Sequence, residues 1–259
     1  MSGAASPPYT DAELLAVMGA RQLRDDTTVF AGVGAPLLAS ALAQQRHAPN
    51  LTIVVEGGII GPRIRPGRLP ISTNEMRAGH RATMLPGITE TFLFAQRGAL
   101  DYGFIGGAQI DEHGNINTTV IGAWDRPRIR LPGTGGGNDI ASLCREVIIL
   151  TAHERRRFVP RVDFVTSPAW LDGDGARARA GLHFGGVSRV VTTLGIFGFD
   201  TETRRMRLEA LHPGVTVDAV RASTGFEVLE APTIETTAPP TGHELEILRA
   251  LDPERRFLG

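Results

Sequence analysis

The chain has 259 residues, 42% hydrophobic and 21% charged, with a formal net charge of −1; this suits one large α/β domain or two small ones, and no global field favours nucleic acid or a membrane as partner. All 27 basic residues are arginine, which excludes Schiff-base and P-loop chemistry, since those need an amine or a Walker lysine. One cysteine, Cys144, rules out an internal disulfide or a multi-cysteine zinc site, the seven histidines are scattered, and with no membrane-length apolar run and no signal-peptide core the expected setting is the cytoplasm.

Residues 1–10, rich in Ser, Ala and Pro, are expected to form a mobile tail ahead of a single domain over 11–259. Asp11 is the expected cap of a helix over AELLAVMGARQL. TTVFAGVG (27–34) reads as a strand, APLLASALAQQRH as a helix and LTIVVE (51–56) as a second strand. Strand, helix, strand in this order predicts a right-handed crossover and an open, mostly parallel α/β sheet flanked by helices. Residues 60–87 carry four prolines and no clean period, a long irregular loop of the kind that is often functional. ITETFLFAQRG (88–98) returns to helix. LDYGFIGGAQID contains the next strand and EHGN a turn. VIILTAH (147–153), RVDFVTSP (161–168) and VSRVVTTLGIFGFD (187–200) are read as further strands, with closing helices in VDAVRAST and GHELEILRALDPERRF.

Three stretches bear on chemistry. In IVVEGG (53–58) a carboxylate, Glu56, ends an apolar run just before Gly57-Gly58. It is either a polar strand terminus before a turn or a nucleophile lifted from a sheet edge toward a substrate. GTGGGNDIA (133–141) puts four glycines ahead of a helix predicted to begin at Asn138. Such a loop can hold a phosphate or a developing oxyanion, or serve only as a tight turn. It matches neither G-x-G-x-x-G nor the Walker pattern. In FIGGAQIDEHGNINTT (104–119), Asp111 and Asn115 are read as turn stabilisers, with direct substrate contact as the alternative. HERRRFVP (153–160) has the look of a phosphate binder, but a charge run of this size reads first as a solvated face or a subunit contact. No second histidine follows His153 at helical spacing, so no zinc motif is present and no metal is expected. Trp124 and Trp170 are assigned to the core. No G-x-S-x-G occurs, which disfavours a hydrolase triad.

In this order, VEGG, FIGGAQID-x-x-GNIN, GTGGGNDIA and HERRRF-x-x-x-VDFVTSPAWLDG resemble the family I CoA-transferases, and in particular the B subunit of glutaconate CoA-transferase. The resemblance spans roughly residues 11–256 and is weakest over 60–87. It implies the sugar-isomerase-like fold of that family. The family's catalytic glutamate, at a strand end in a V-E-S-G or E-N-G setting, matches Glu56. The family's glycine loop matches Gly133, Gly135, Gly136, Gly137 and Asn138 as oxyanion and CoA-binding groups. Gly57, Gly58, Gly106, Gly107 and Gln109, beside the strand ends, are the acyl-site candidates.

The resemblance further implies that Glu56 attacks an acyl-CoA and comes to carry CoA as a thioester, so that CoA is substrate and transient covalent adduct and no cofactor is tightly bound. It implies a homologous A subunit in an A2B2 heterotetramer, with an acyl-CoA and a carboxylic acid as substrates. Two rivals keep the fold, an acyl-CoA hydrolase (ring-opening) and a decarboxylase. Steroid-ring hydrolases resemble the chain at ALHPGV (210–215) and LGIF (194–197), but these relatives lack the strand-end glutamate. A non-catalytic ligand-sensing module is a more remote reading, because it leaves Glu56 and the glycine loop unexplained.

Overall fold

In the computed structural model, which describes residues 8–259, helix α1 (Asp11–Ala20) is capped by Thr10 and not by Asp11. The Thr10 hydroxyl accepts from the Glu13 amide at 3.2 Å, and the Glu13 carboxylate accepts from the Thr10 amide at 2.9 Å, a reciprocal capping box that satisfies two end donors. Most of the predicted tail, residues 1–7, lies outside the described residues. Two compact units follow from the internal contacts, one formed by the chain up to Phe94 together with Ala238–Gly259, the other by Ala95–Thr237.

In the first unit, β1 (Thr28–Phe30), α2 (Ala35–Arg46) and β2 (Thr52–Val55) form the predicted strand–helix–strand unit. β1 and β2 are parallel, with Val29 opposite Ile53. Strand β3 (Ile59–Ile60) turns back antiparallel on β2, pairing Val55 with Ile59. Helix α2 is capped by Gly34, whose φ of 86° suits glycine, and Pro36 lies in its first turn. Leu37, Leu38 and Leu42 of α2 are fully buried, as are Val29, Ile53 and Val55 of the strands. After a 3-10 turn (Met76–Gly79), α3 (Ile88–Gln96) begins, and its Phe92 stacks on Phe30 with ring centres 5.7 Å apart.

The C-terminal helix, Gly242–Leu251, is tied to α1 by a buried charge: Arg249 donates to Glu13 at 2.8 Å. Burial pushes the Glu13 carboxyl up, but the hydrogen bonds from Arg249 and Thr10 outweigh it and hold the group below the usual carboxylate range.

In the second unit, β4 (Tyr102–Ile105) is followed by two small ribbons, β5 (Gln109–Ile110) with β6 (Ile116–Asn117) and β7 (Val120–Gly122) with β8 (Pro127–Arg130). Helix α4 (Gly137–Leu143) then leads to β9 (Glu146–Thr151), which lies parallel between β4 and β10 (Val187–Thr192). Between β9 and β10 sits the short helix α5 (Ala176–Arg179). Strands β11 (Gly195–Phe199) and β12 (Met206–Leu211) continue antiparallel, and after α6 (Val217–Ala222) strand β13 (Leu229–Thr236) closes the order in parallel to β12. The parallel α/β class expected from the sequence is therefore the class observed.

Three strand expectations change. The run 187–200 is two strands, because the Thr192 hydroxyl accepts from the amides of Leu194 and Gly195, both at 3.1 Å, and reverses the chain there. Residues 161–168 form no strand. Between Pro160 and Pro168 the segment makes one bridge, Ile116 with Ser167, and its Asp163 carboxylate takes donors from Gln109 and Gly122. β12 is a strand the sequence reading lacks, although MRLEAL alternates buried and half-exposed residues along its whole length. Trp124 is not core: it is 58% exposed, stacked on Phe164 and covered by Arg130.

Candidate active site

β2 ends at Val55, and Glu56-Gly57-Gly58 makes the three-residue reversal into β3, closed by the Gly58 amide on the Val55 carbonyl at 3.0 Å. Glu56 stands at the carboxyl end of a parallel strand, the end at which open α/β sheets bind ligands. It is half-buried and makes no hydrogen bond or ion pair among the described residues.

The two glycines have steric reasons to be there. A Cβ on Gly57 would lie 2.3 Å from the Thr73 carbonyl oxygen and 2.4 Å from the Asn74 Oδ1. A Cβ on Gly58, at φ 92°, would lie 2.0 Å from the Pro86 carbonyl oxygen. The irregular loop over 60–87 thus packs directly on the turn that carries Glu56. Thr73 and Asn74 escape a reading of the sequence; the only trace of them is the polar triplet Ser72-Thr73-Asn74 inside a proline-rich stretch.

Two arginines of this loop lie elsewhere. Arg63 and Arg81 line a cleft of about 300 Å³ with Asn50, Leu51 and Thr52, at the opposite end of β2 from Glu56.

The glycine loop belongs to the second unit. Gly133 and Gly135 have φ of 95° and 50°, with open space where a Cβ would stand. The helix starts one residue earlier than expected, at Gly137, with Gly136 as its cap at φ −78°. Amide accounting divides the loop. Gly133 donates to the Thr118 carbonyl, Gly137 to the Thr134 carbonyl and Asn138 to the Thr134 hydroxyl, each at 2.8 Å. The amides of Thr134, Gly135 and Gly136 have no acceptor among the described residues. Asn138 also donates its side-chain amide to the Thr166 carbonyl at 3.0 Å. Arg177, buried, reaches the Ala141 carbonyl at 2.9 Å and those of Phe184, Pro168 and Ala169. Burial without a carboxylate partner lowers its guanidinium pKa. It pins α4 in place.

Gly106 and Gly107 follow the carboxyl end of β4. A Cβ on Gly137 would lie 3.2 Å from the Ile105 side chain, so the glycine loop and this strand end are neighbours. A Cβ on Gly107 would meet Ile116 at 2.5 Å, and its carbonyl accepts from Arg157 at 2.9 Å. Gln109 is buried and engaged: its Oε1 accepts from Asn117 (2.6 Å) and the Asp163 amide (3.1 Å), while its Nε2 donates to Asp163 at 3.0 Å.

Asp111 and Asn115 are turn residues, as expected. Asp111 accepts from the His113 and Asn115 amides and the Asn115 side chain, which in turn spans to Ala169 and Leu171. His153 is buried between threonine hydroxyls, Thr192 at 3.1 Å and Thr224 at 3.0 Å, and stacks on Phe158. Burial holds its pKa down at about 4, so the ring is neutral. Burial also pushes the Cys144 thiol up to about 12, which leaves it unreactive. No metal-binding cluster of His, Cys, Asp or Glu is found among the described residues, and no helix there is long and apolar enough to cross a membrane.

A family-wide sequence profile described as Coenzyme A transferase matches residues 12–223. This chain belongs to the Coenzyme A transferase family. The B subunit of 3-oxoadipate CoA-transferase from Pseudomonas knackmussii is 37% identical to it over 245 residues, 94% of each chain. The B subunit of glutaconate CoA-transferase from Acidaminococcus fermentans is 36% identical over 256 residues, and the crystal structure of that enzyme superposes with a TM-score of 0.91 over 98% of this chain and 99% of the other. Similarity to the cholesterol ring-cleaving hydrolase IpdB subunit of Mycobacterium tuberculosis, 37% over 155 residues, covers 58% of this chain and 60% of that one. In this CoA-transferase chain the predicted site residues therefore fall into two groups: Glu56, Gly57 and Gly58 on the β2–β3 turn, and the glycine loop beside the end of β4.

Proposed function

We propose that the chain is the nucleophile-bearing B subunit of a CoA-transferase that moves CoA from an acyl-CoA to a carboxylic acid through a glutamyl-CoA thioester on Glu56. One observation carries the reading: an unpartnered carboxylate at the tip of the β2–β3 turn, at the carboxyl end of a parallel strand. A Glu56 oxygen attacks the thioester carbonyl, the C–S bond breaks, and CoA leaves as its thiolate, giving a mixed anhydride. The thiolate attacks the glutamyl carbonyl; the acid leaves as its carboxylate and CoA stays on Glu56. An acceptor carboxylate reverses both steps with its own acyl group.

No proton need move, and no tightly bound cofactor is called for. The chain must supply donors for the developing oxyanion, and the amides of Gly135 and Gly136 are among the three in the loop, with that of Thr134, that have no acceptor among the described residues. The two CoA-transferase B subunits match over nearly their whole length, which supports a homologous A subunit completing the site in an A2B2 assembly. The acids in their names, 3-oxoadipate and glutaconate, both carry two carboxylates, and the acyl group here is proposed to do so as well.

The test is the intact mass of this chain after incubation of the A–B complex with an acyl-CoA and no acceptor. A CoA adduct on the peptide containing Glu56 is expected. An unmodified chain during steady turnover would falsify the assignment.

A further inference from the structure

We propose that Asn74 is a specificity-determining residue whose carboxamide hydrogen-bonds the second carboxylate of the acyl group while that group reacts at Glu56. The proposal rests on Glu56 being the nucleophile. Three features place Asn74 there. Its Oδ1 would be 2.4 Å from a Cβ on Gly57, the residue next to Glu56, so the absent side chain of Gly57 is what admits it. The turn that presents it is built: the Glu75 carboxylate accepts from the Ile71 amide at 2.8 Å, the Glu75 amide donates to the Ser72 carbonyl at 3.2 Å, and Arg77 pairs with Glu75 at 2.6 Å. The carboxamide itself is exposed and has no partner among the described residues.

A carboxamide brings two N–H donors, and a carboxylate can only accept. The match is neutral to charged, so it recognises the anion without a competing ion pair to break when product leaves. Among the cations of this loop, Arg77 is engaged by Glu75 and the Leu69 carbonyl, and Arg63 and Arg81 line the cleft at the far end of β2.

The experiment uses the A–B complex, wild type, Asn74→Ala and Asn74→Asp, with acetate as acceptor and two five-carbon thioesters, glutaryl-CoA and valeryl-CoA. A site built to bond a polar group discriminates strongly against the analogue that lacks it. Wild type should prefer glutaryl-CoA. Asn74→Ala should lower kcat/KM for glutaryl-CoA by about tenfold or more, with valeryl-CoA within about twofold of wild type. Asn74→Asp should lower glutaryl-CoA further, because it sets like charges together.

Equal losses on both thioesters, no loss on either, or a wild type that does not prefer glutaryl-CoA would each overturn the role of Asn74. The mass of the Glu56 peptide is read in the same samples. Absence of the adduct from wild type during turnover overturns the nucleophile, whereas an adduct that forms with unchanged selectivity in Asn74→Ala overturns only this inference.

Discussion

A methyl group on Gly57 would stand 2.3 Å from the backbone carbonyl oxygen of Thr73. The second obstacle, Asn74 Oδ1 at 2.4 Å, is the end of a side chain and can swing away, but the carbonyl cannot move without the loop. Gly57→Ala is therefore expected to shift the turn that carries Glu56 while α1, α2 and the strand pairs keep the unit folded. A displacement of about 1 Å in a positioned reaction costs on the order of a hundredfold. The expected outcome is a kcat about a hundredfold lower with a far-ultraviolet circular dichroism spectrum like that of wild type. An undiminished kcat would mean the loop is not a fixed wall of the site.

Glu56→Asp withdraws the carboxylate by roughly 1.5 Å, one methylene, from wherever the anhydride forms. Transfer should fall by at least about a hundredfold, and the gap should let water compete for the activated acyl group. The assay compares acyl-CoA loss with and without small carboxylates in wild type and variant. Acceptor-dependent formation of a new acyl-CoA by wild type is expected. Acyl-CoA consumption by wild type at one rate whatever the acceptor, with equal release of free CoA, would favour the hydrolase reading instead.

Gly136 has a φ of −78°, so an alanine there is not strained, contrary to a positive-φ position such as Gly135 at 50°. Gly136→Ala should retain wild-type thermal stability and still lower kcat more than it raises KM, since the methyl stands beside a proposed oxyanion donor. Loss of one such donor is worth on the order of a hundredfold. A raised KM with kcat intact would make the loop a binding wall and nothing more.

His153 gives a pH prediction. Its folded pKa is depressed from 6.5 to about 4 by burial, so the unfolded chain binds a proton more readily between those values. The contribution is fully present above pH 6.5 and is lost as pH falls toward 4, by about 3 kcal/mol at most. Urea unfolding between pH 7 and pH 4.5 should show this loss, and His153→Asn should flatten that part of the profile. An unchanged slope in the variant would assign the acid limb to other groups.

Some of this was legible in the residues alone. The pairing of β1 with β2 follows from apolar runs separated by a helix, because only a crossover buries both strands and helix. Glu56 was legible for a related reason: a lone carboxylate closing a buried run before two glycines has to sit at a strand end. The Asp111–Asn115 turn was equally plain, since short polar side chains beside a glycine bond their own backbone. What the sequence could not decide is where each polar group spends its hydrogen bonds. Thr192 breaks one apparent strand into two because its hydroxyl finds two amides, and Gln109 is taken up by Asn117 and Asp163, which lie 8 and 54 positions away. Within GTGGG, identical residues differ in role because the Thr118 and Thr134 carbonyls take up the amides of Gly133 and Gly137, while those of Thr134, Gly135 and Gly136 stay open. The tertiary structure alone brought Thr73 and Asn74 against Gly57, since an irregular loop has no period from which its contacts could be read.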